Sequence, residues 1–171
     1  MYRVLLIDDE RLVLASLRRR IDWEACGFSV CGEAFNGKDG LSKIEELHPD
    51  LVFTDIRMPG ISGLDLIGQA QKEFPSVRFV VISGYSEFEY ARKGIEYGVL
   101  DYLLKPIDYM KLLNKLAYVK TLLDESTQAQ NQEELLEEPG TMGSTEVVIP
   151  GVWVSAYRYS RIRLWIVRFR R

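Results

Sequence analysis

Short apolar runs alternate with amphipathic segments along the first 123 residues of the chain. Five runs are typical of buried strands, because nearly every position in them is apolar. Between these runs and after the last one, apolar residues recur every three or four positions, as on one face of a helix. The predicted strands span residues 2–7, 28–34, 51–54, 78–82 and 100–104. The predicted helices span residues 10–21, 37–48, 62–73, 86–98 and 108–123.

Strands that alternate with helices predict an α/β fold with one parallel sheet. Parallel strands need crossover connections, and these place helices on both faces of the sheet. With the strand order 2-1-3-4-5, the first and third strands are neighbours. Ligands of such doubly wound sheets bind at the carboxyl ends of the strands, near the reversal in strand order. We therefore expect the functional side chains at that edge.

Polar residues directly follow four of the five predicted strands. Asp8 and Asp9 follow the first strand, and Asp55 follows the third. Ser83 follows the fourth strand and Lys105 the fifth. Each of these residues alone would be ordinary in a turn or a helix cap. Their joint placement at the same ends of parallel strands indicates one site.

The residue types at this edge predict a magnesium-dependent phosphoryl acceptor. Asp8, Asp9 and Asp55 would repel one another unless a cation lay among them. Mg²⁺ prefers oxygen ligands and also binds phosphate oxygens. An aspartate carboxylate can attack phosphorus and form an acyl phosphate. Lys105 would supply a second positive charge, and the Ser83 hydroxyl a hydrogen bond to a phosphoryl oxygen.

Four segments carry a resemblance to a known family: IDDE at 7–10, DLVFTDIRMPGISGLDL at 50–66, VVISGYSE at 80–87 and DYLLKPI at 101–107. Together they resemble the receiver domain of two-component response regulators, over residues 2–123. The resemblance implies a flavodoxin-like (CheY-like) receiver fold and Mg²⁺ as the cofactor. It also implies a sensor histidine kinase as the phosphodonor and a homodimer that forms on phosphorylation.

The resemblance also implies roles for single residues. The implied magnesium ligands are Asp8, Asp9, Asp55 and the main-chain carbonyl of Arg57. Asp55 is the implied phosphoacceptor, Ser83 the switch hydroxyl and Lys105 the lysine that contacts the phosphoryl group. Tyr102 matches the aromatic residue of the fifth strand whose rotamer follows phosphorylation in this family. Arg57 and Tyr85 match positions where the family varies the lifetime of its acyl phosphate.

Two longer segments, residues 21–37 and 83–107, resemble the receivers joined to an AraC-type DNA-binding output. In that subgroup a long linker and two helix-turn-helix motifs follow the receiver. Neither pattern follows here, so we expect no direct DNA binding by this chain, although the full-length family binds DNA and regulates transcription.

Two other classes are alternatives. A phosphatase of the haloacid dehalogenase type also uses an aspartate nucleophile, but in a D-x-D motif after the first strand. Asp8-Asp9 lacks that spacing, and Asp55 follows the third strand. A nucleotide-binding doubly wound domain would open its first helix with a glycine-rich loop, and the segment after Asp9 contains no glycine. The receiver is therefore the leading hypothesis.

The end of the chain differs from the receiver in its content of charged residues. The net charge of -3 argues against a wholly nucleic-acid-binding protein. Residues 124–146 contain seven acidic and no basic side chains, which predicts an acidic linker with a short continuation of the last helix. Residues 147–171 contain six arginines and no acidic residue. We expect an irregular, basic, aromatic tail there.

Three interpretations of residues 147–171 remain open: a short β-hairpin, a basic amphipathic strip for a membrane or nucleic acid, or a non-native end produced by truncation or a shifted reading frame. We favour the last, because so short a segment cannot build its own core. The sequence contains no run of roughly 18 apolar residues that would span a membrane, and its N-terminal apolar run is too short for a signal peptide. We therefore expect a cytoplasmic protein without membrane contacts.

Overall fold

A computed structural model describes residues 1–84 and 98–128 in full, and the backbone alone over 129–136, 145–149, 152–159 and 162–169. The helix predicted from residue 86 and the side chain of Tyr85 lie outside the described residues. The chain divides into two units, Met1–Asp124 and Glu125–Arg171.

The first unit contains a five-stranded parallel sheet. Its strands are β1 (Tyr2–Ile7), β2 (Phe28–Ala34), β3 (Leu51–Asp55), β4 (Arg78–Ser83) and β5 (Asp101–Leu104). The described helices are α1 (Arg11–Arg20), α2 (Gly37–Leu47), α3 (Gly63–Glu73) and α4 (Tyr109–Leu136). The strand order is β2-β1-β3-β4-β5, and each neighbouring pair is parallel. The predicted doubly wound sheet and its order are confirmed.

Successive residues of β1, β3 and β4 enter the two cores on opposite faces of the sheet, as the pleat requires. In β1, Val4 and Leu6 belong to one core, whereas Leu5 and Ile7 belong to the other. The first core contains the buried apolar helix residues Leu14, Leu17, Leu112, Leu116 and Val119. The second contains Ile44, Leu64, Leu66, Ile67 and Ala70. Burial on both faces explains the nearly continuous apolar strands.

Side-chain caps fix the starts of three helices. Asn36 Oδ1 accepts the Asp39 N–H at 2.9 Å at the start of α2. Ser62 Oγ accepts the Asp65 N–H at 3.2 Å at the start of α3. Asp108 Oδ1 accepts the N–H groups of the second and third residues of α4, at 3.1 and 3.2 Å. Ser62 and Asp108 thus cap the helices that the sequence predicts from residues 62 and 108.

Beyond residue 123 the structure differs from the sequence-based expectation. α4 continues to Leu136, because residues 124–136 contain no glycine or proline and many good helix formers. Where an irregular tail was expected, the backbone forms β6 (Thr145–Ile149), β7 (Val152–Tyr159) and β8 (Ile162–Phe169) in an antiparallel sheet of order β6-β7-β8. β-branched and aromatic residues dominate these segments and favour strands. Within the described part of the chain, no helix has the length and apolar character needed to cross a membrane.

We expect Leu116→Ala to lower the free energy of unfolding by about 2–5 kcal/mol, because Leu116 is 1 % exposed and its loss leaves a cavity against the sheet. Urea denaturation measures this loss. Tyr118→Ala is the control on the same helix, since Tyr118 is 60 % exposed. Its effect should stay within about 0.5 kcal/mol. Equal losses in the two variants would contradict the assignment of the buried face of α4.

Candidate functional site

The predicted site residues lie along the carboxyl edge of the sheet. Asp55 and Ser83 are the last residues of β3 and β4. Asp8 directly follows β1, and its N–H still donates to the Ala34 carbonyl at 3.1 Å. Lys105 directly follows β5, and its N–H donates to the Ser83 carbonyl at 2.8 Å. The strand ladders thus fix the backbone at each of these positions.

Three carboxylates converge at the middle of this edge. Asp8, Asp9 and Asp55 each place one carboxylate oxygen within 4.8 Å of the others. Asp8 and Asp55 are 2 % and 7 % exposed, whereas Asp9 faces solvent. The convergence follows from the strand order, because β1 and β3 are adjacent and parallel. Negative charge is therefore concentrated in a partly buried position.

Lys105 contacts this cluster through its ammonium group. Its Nζ lies 2.8 Å from Glu10 Oε1, 2.9 Å from Asp8 Oδ2 and 3.4 Å from Asp55 Oδ2. The Lys105 side chain is only 16 % exposed, and the Lys105-Pro106 peptide bond is cis. Asp8 Oδ2 is buried and forms an ion pair with the Lys105 ammonium group; beyond this contact it has no hydrogen-bond donor among the described residues.

Burial and the ammonium group act in opposite directions on the carboxylates. Burial raises the pKa of Asp8, although Lys105 and the Glu10 N–H act to lower it. Burial likewise raises the pKa of Asp55, against the lowering effects of Lys105 and the Ile56 N–H. Burial acts to lower the pKa of Lys105, but its contacts with Glu10, Asp8 and Asp55 outweigh burial and raise that pKa. The site therefore holds more negative charge than one lysine offsets.

Gly63 allows α3 to approach the backbone of Asp55. The Gly63 N–H donates to the Ile56 carbonyl at 2.8 Å. A Cβ at position 63 would lie 1.9 Å from the Asp55 carbonyl oxygen, which is impossible without moving the backbone. Ile56 in turn donates its N–H to Asp55 Oδ1 at 2.7 Å. The role of Gly63 was not predicted, because in the sequence it is an ordinary glycine at the start of a helix.

The remaining predicted residues lie close to this edge. Ser83 is fully buried, and Tyr102 on β5 is half-buried and pairs in register with Val81. Arg57 is exposed in the loop after β3. The contact between Glu10 and Lys105 was not predicted, since Glu10 reads in the sequence as part of the first helix. The sequence feature that could have indicated this contact is the position of Glu10 directly after the Asp8-Asp9 pair.

The family of the chain follows from comparison with known proteins. A family model for the response regulator receiver domain matches residues 4–117. The chain belongs to this family. The matched residues include most of β1, all of β2 to β5 and the whole carboxylate cluster with its lysine. The receiver predicted from the four sequence segments is confirmed, and the match favours it over the phosphatase and nucleotide-binding alternatives.

Similar proteins include transcriptional regulators. The chain is 45 % identical over 116 residues to the transcriptional regulatory protein YesN of Bacillus subtilis, covering 68 % of this chain and 32 % of YesN. It is 40 % identical over 131 residues to the transcriptional regulatory protein HptR of Staphylococcus aureus, covering 75 % of this chain and 50 % of HptR. The receiver-bearing chain thus spans between a third and a half of the length of these curated relatives.

Solved structures of receivers have the same fold. The REC domain of AraT, a response regulator from Geobacillus stearothermophilus, superposes with a TM-score of 0.70 at 36 % identity, covering 74 % of this chain and 98 % of that domain. A two component transcriptional regulator AraC from Clostridium phytofermentans superposes with a TM-score of 0.66 at 30 % identity, with the same two coverages. The predicted similarity to receivers of AraC-type regulators is confirmed.

We expect Asp8→Asn to raise the free energy of unfolding near neutral pH in the presence of a chelator. Asparagine keeps an oxygen that can accept the Glu10 N–H and removes a buried charge. Because burial raises the pKa of Asp8, the folded receiver holds this proton more tightly than the unfolded chain. Wild-type stability therefore rises as the pH falls through the raised pKa, and the advantage of the asparagine variant shrinks.

Urea denaturation between about pH 5 and pH 8 measures this difference. Glu45→Gln, on the exposed side of α2, is the control and should show no comparable gain. A lower stability for Asp8→Asn than for wild type near neutral pH would contradict the unfavourable burial of the Asp8 charge.

Proposed function

We propose that Asp55 accepts a phosphoryl group from a sensor histidine kinase in a magnesium-dependent reaction, and that this modification switches the output of a response regulator. The observation that carries the proposal is the convergence of Asp8, Asp9 and Asp55 with Lys105 at one edge of a receiver sheet. The activity is limited to the phosphorylation and dephosphorylation of the receiver itself.

The donor set fits Mg²⁺. Apart from its ion pair with Lys105 at 2.9 Å, Asp8 Oδ2 is buried without a hydrogen-bond donor among the described residues, and such an oxygen is suited to a cation. Three carboxylates supply the hard oxygen ligands that Mg²⁺ prefers, and the exposure of Asp9 leaves room for coordinated water. Asp8, Asp9, Asp55 and the main-chain carbonyl of Arg57 would hold the ion. Bound there, it would neutralise charge on the carboxylates and on the phosphoryl oxygens.

The two oxygens of Asp55 have different surroundings. Oδ1 accepts the Ile56 N–H, whereas Oδ2 lies 3.4 Å from Lys105 Nζ. We assign Oδ2 as the attacking atom, because an incoming phosphoryl group there would lie beside the ammonium group. A new oxygen–phosphorus bond forms, and the phosphorus–nitrogen bond of the phosphohistidine donor breaks with its electron pair passing to the imidazole. Lys105 then pairs with a phosphoryl oxygen.

Ser83 and Tyr102 connect the site to the surface of the domain in this proposal. Ser83 pairs with Leu104 of β5, and two residues earlier Val81 pairs with Tyr102. A Ser83 hydroxyl that turns toward a phosphoryl oxygen would change the space beside Tyr102, whose rotamer then alters the surface at β5 and α4. The helix predicted after β4 would complete this surface and lies outside the described residues. Such a local charge change can bias a two-state element.

The output of the full-length protein is a further part of the proposal. YesN and HptR are transcriptional regulatory proteins, and the chain covers 32 % and 50 % of their lengths. We infer that phosphorylation promotes homodimerisation and so controls a DNA-binding output in the full-length family. Residues 1–171 alone are not expected to bind DNA directly.

We expect the wild-type chain to gain one phosphoryl group from acetyl phosphate in the presence of Mg²⁺, and Asp55→Ala to gain none. The alanine variant lacks the attacking carboxylate. Intact-protein mass spectrometry measures the gain of one phosphoryl mass. Asp65→Asn, which alters an exposed carboxylate near the start of α3, is the control and should be modified like wild type. Stoichiometric modification of Asp55→Ala would show that the phosphoacceptor is another residue.

Mg²⁺ should raise the thermal unfolding midpoint of the wild-type receiver, because a ligand that binds only the folded state stabilises it by mass action. The increase should be smaller in Asp9→Asn, which removes an exposed ligand without disturbing the core. Thermal unfolding monitored by circular dichroism, in chelator and at increasing Mg²⁺, measures both shifts. Glu45→Gln should keep the full increase, and an equal increase in Asp9→Asn would exclude Asp9 as a ligand.

A further inference from the structure

Glu10 occupies a helix-cap position but its side chain does not cap the helix. It precedes the first residue of α1, where Ser, Thr, Asp and Asn are preferred. The Glu10 carboxylate makes no hydrogen bond to the N–H groups of that helix. Its Oε1 instead accepts a hydrogen bond from Lys105 Nζ at 2.8 Å, across 95 positions of sequence. The Glu10 side chain therefore contacts the lysine of the carboxylate site and does not cap α1.

Lys105 is directed toward Glu10 and Asp8 more closely than toward Asp55. The Nζ distances are 2.8 Å to Glu10, 2.9 Å to Asp8 and 3.4 Å to Asp55. An ammonium group has three N–H donors, and these three carboxylates already surround it. A phosphoryl group on Asp55 must therefore compete for Lys105 with the carboxylate of Glu10. Glu10 is neither the phosphoacceptor nor one of the proposed metal ligands.

The exposure of Glu10 suits a reversible competitor. Its side chain is 62 % exposed, whereas that of Lys105 is 16 % exposed. Ion pairs with an exposed partner are worth little in stability and exchange easily. The Glu10 backbone is fixed by its N–H, which donates to Asp8 Oδ1 at 2.9 Å, so the carboxylate is tethered near Lys105. Glu10 can release the lysine without any change in the fold.

We propose that Glu10 restrains Lys105 in the unphosphorylated receiver and thereby limits how readily Asp55 takes up a phosphoryl group. This inference rests on the proposed function of Asp55. Glu10 is a positioning residue, because it acts through Lys105 and not on the phosphoryl group itself. Loss of its charge frees the ammonium group for the phosphoryl oxygens.

The test is Glu10→Gln in the full chain, which keeps the shape of the side chain and removes its charge. At saturating Mg²⁺, we expect the initial rate of phosphorylation by acetyl phosphate to rise about two- to fivefold, the effect of losing one partly exposed ion pair. The apparent affinity for beryllofluoride, measured by isothermal titration calorimetry, should rise by a similar factor. Glu45→Gln is the matched control and should leave both quantities unchanged.

A second background separates restraint of Lys105 from general repulsion of an anionic donor. In Lys105→Met, the substitution Glu10→Gln should no longer increase the rate, because there is no ammonium group to release. Intact-mass measurements over hours keep the slow reaction of this background measurable. An undiminished increase there would mean that Glu10 acts by repulsion and would overturn the proposal.

The outcomes distinguish this inference from the function on which it rests. If the wild-type chain takes up no phosphoryl group, the proposed function of Asp55 fails. If wild type is modified at Asp55 but Glu10→Gln behaves like Glu45→Gln or reacts more slowly, only the role of Glu10 is wrong. Thermal unfolding of each variant shows whether a change in rate reflects a loss of fold.

Discussion

Three carboxylates held against one largely buried ammonium group form the constraint on which this receiver depends. Asp8 and Asp55 lie at the ends of adjacent parallel strands, so the backbone ladder keeps their charges close. Burial raises the pKa of both residues, and Lys105 offsets only part of the repulsion. The same excess of negative charge makes the edge a suitable binding site for a divalent cation and, with it, for a phosphoryl group.

The two hydrophobic cores hold that edge of the sheet in place. Alternate residues of β1, β3 and β4 enter opposite cores, so each strand is anchored from both faces. The close approach of Gly63 to the Asp55 carbonyl then fixes the loop that follows β3. A rigid scaffold of this kind tolerates a destabilising charge cluster, because the apolar burial of the cores outweighs the local cost.

Under the proposed function, an exchange of partners by Lys105 would link the site to a signal. The ammonium group contacts Glu10, Asp8 and Asp55 within 3.4 Å, so a small movement changes which charge it neutralises. β5 carries both this lysine at its end and Tyr102 within it, and it pairs with the strand that ends at Ser83. In the proposed function, a change of charge at Asp55 would therefore act on a strand that carries both Lys105 at its end and Tyr102.

The sequence by itself determined the described elements up to residue 123 and the polar residues at the strand ends, whereas the order 2-1-3-4-5 followed from the resemblance to receivers. Apolar periodicity placed each described strand and each helix before α4 within one residue of its observed bounds. The polar residues that follow the strands indicated the site, because strand ends of a parallel sheet share one edge. Local patterns of this kind survive folding, since each depends on residues close together in the chain.

Only the tertiary structure decided the contacts of Glu10 and Gly63. Glu10 meets Lys105 across 95 positions, and Gly63 meets the carbonyl of Asp55 only because α3 packs against that loop. Neither contact leaves a periodic signal. The physical reason is that such contacts depend on the relative positions of packed elements, whereas the sequence pattern reports on each element separately.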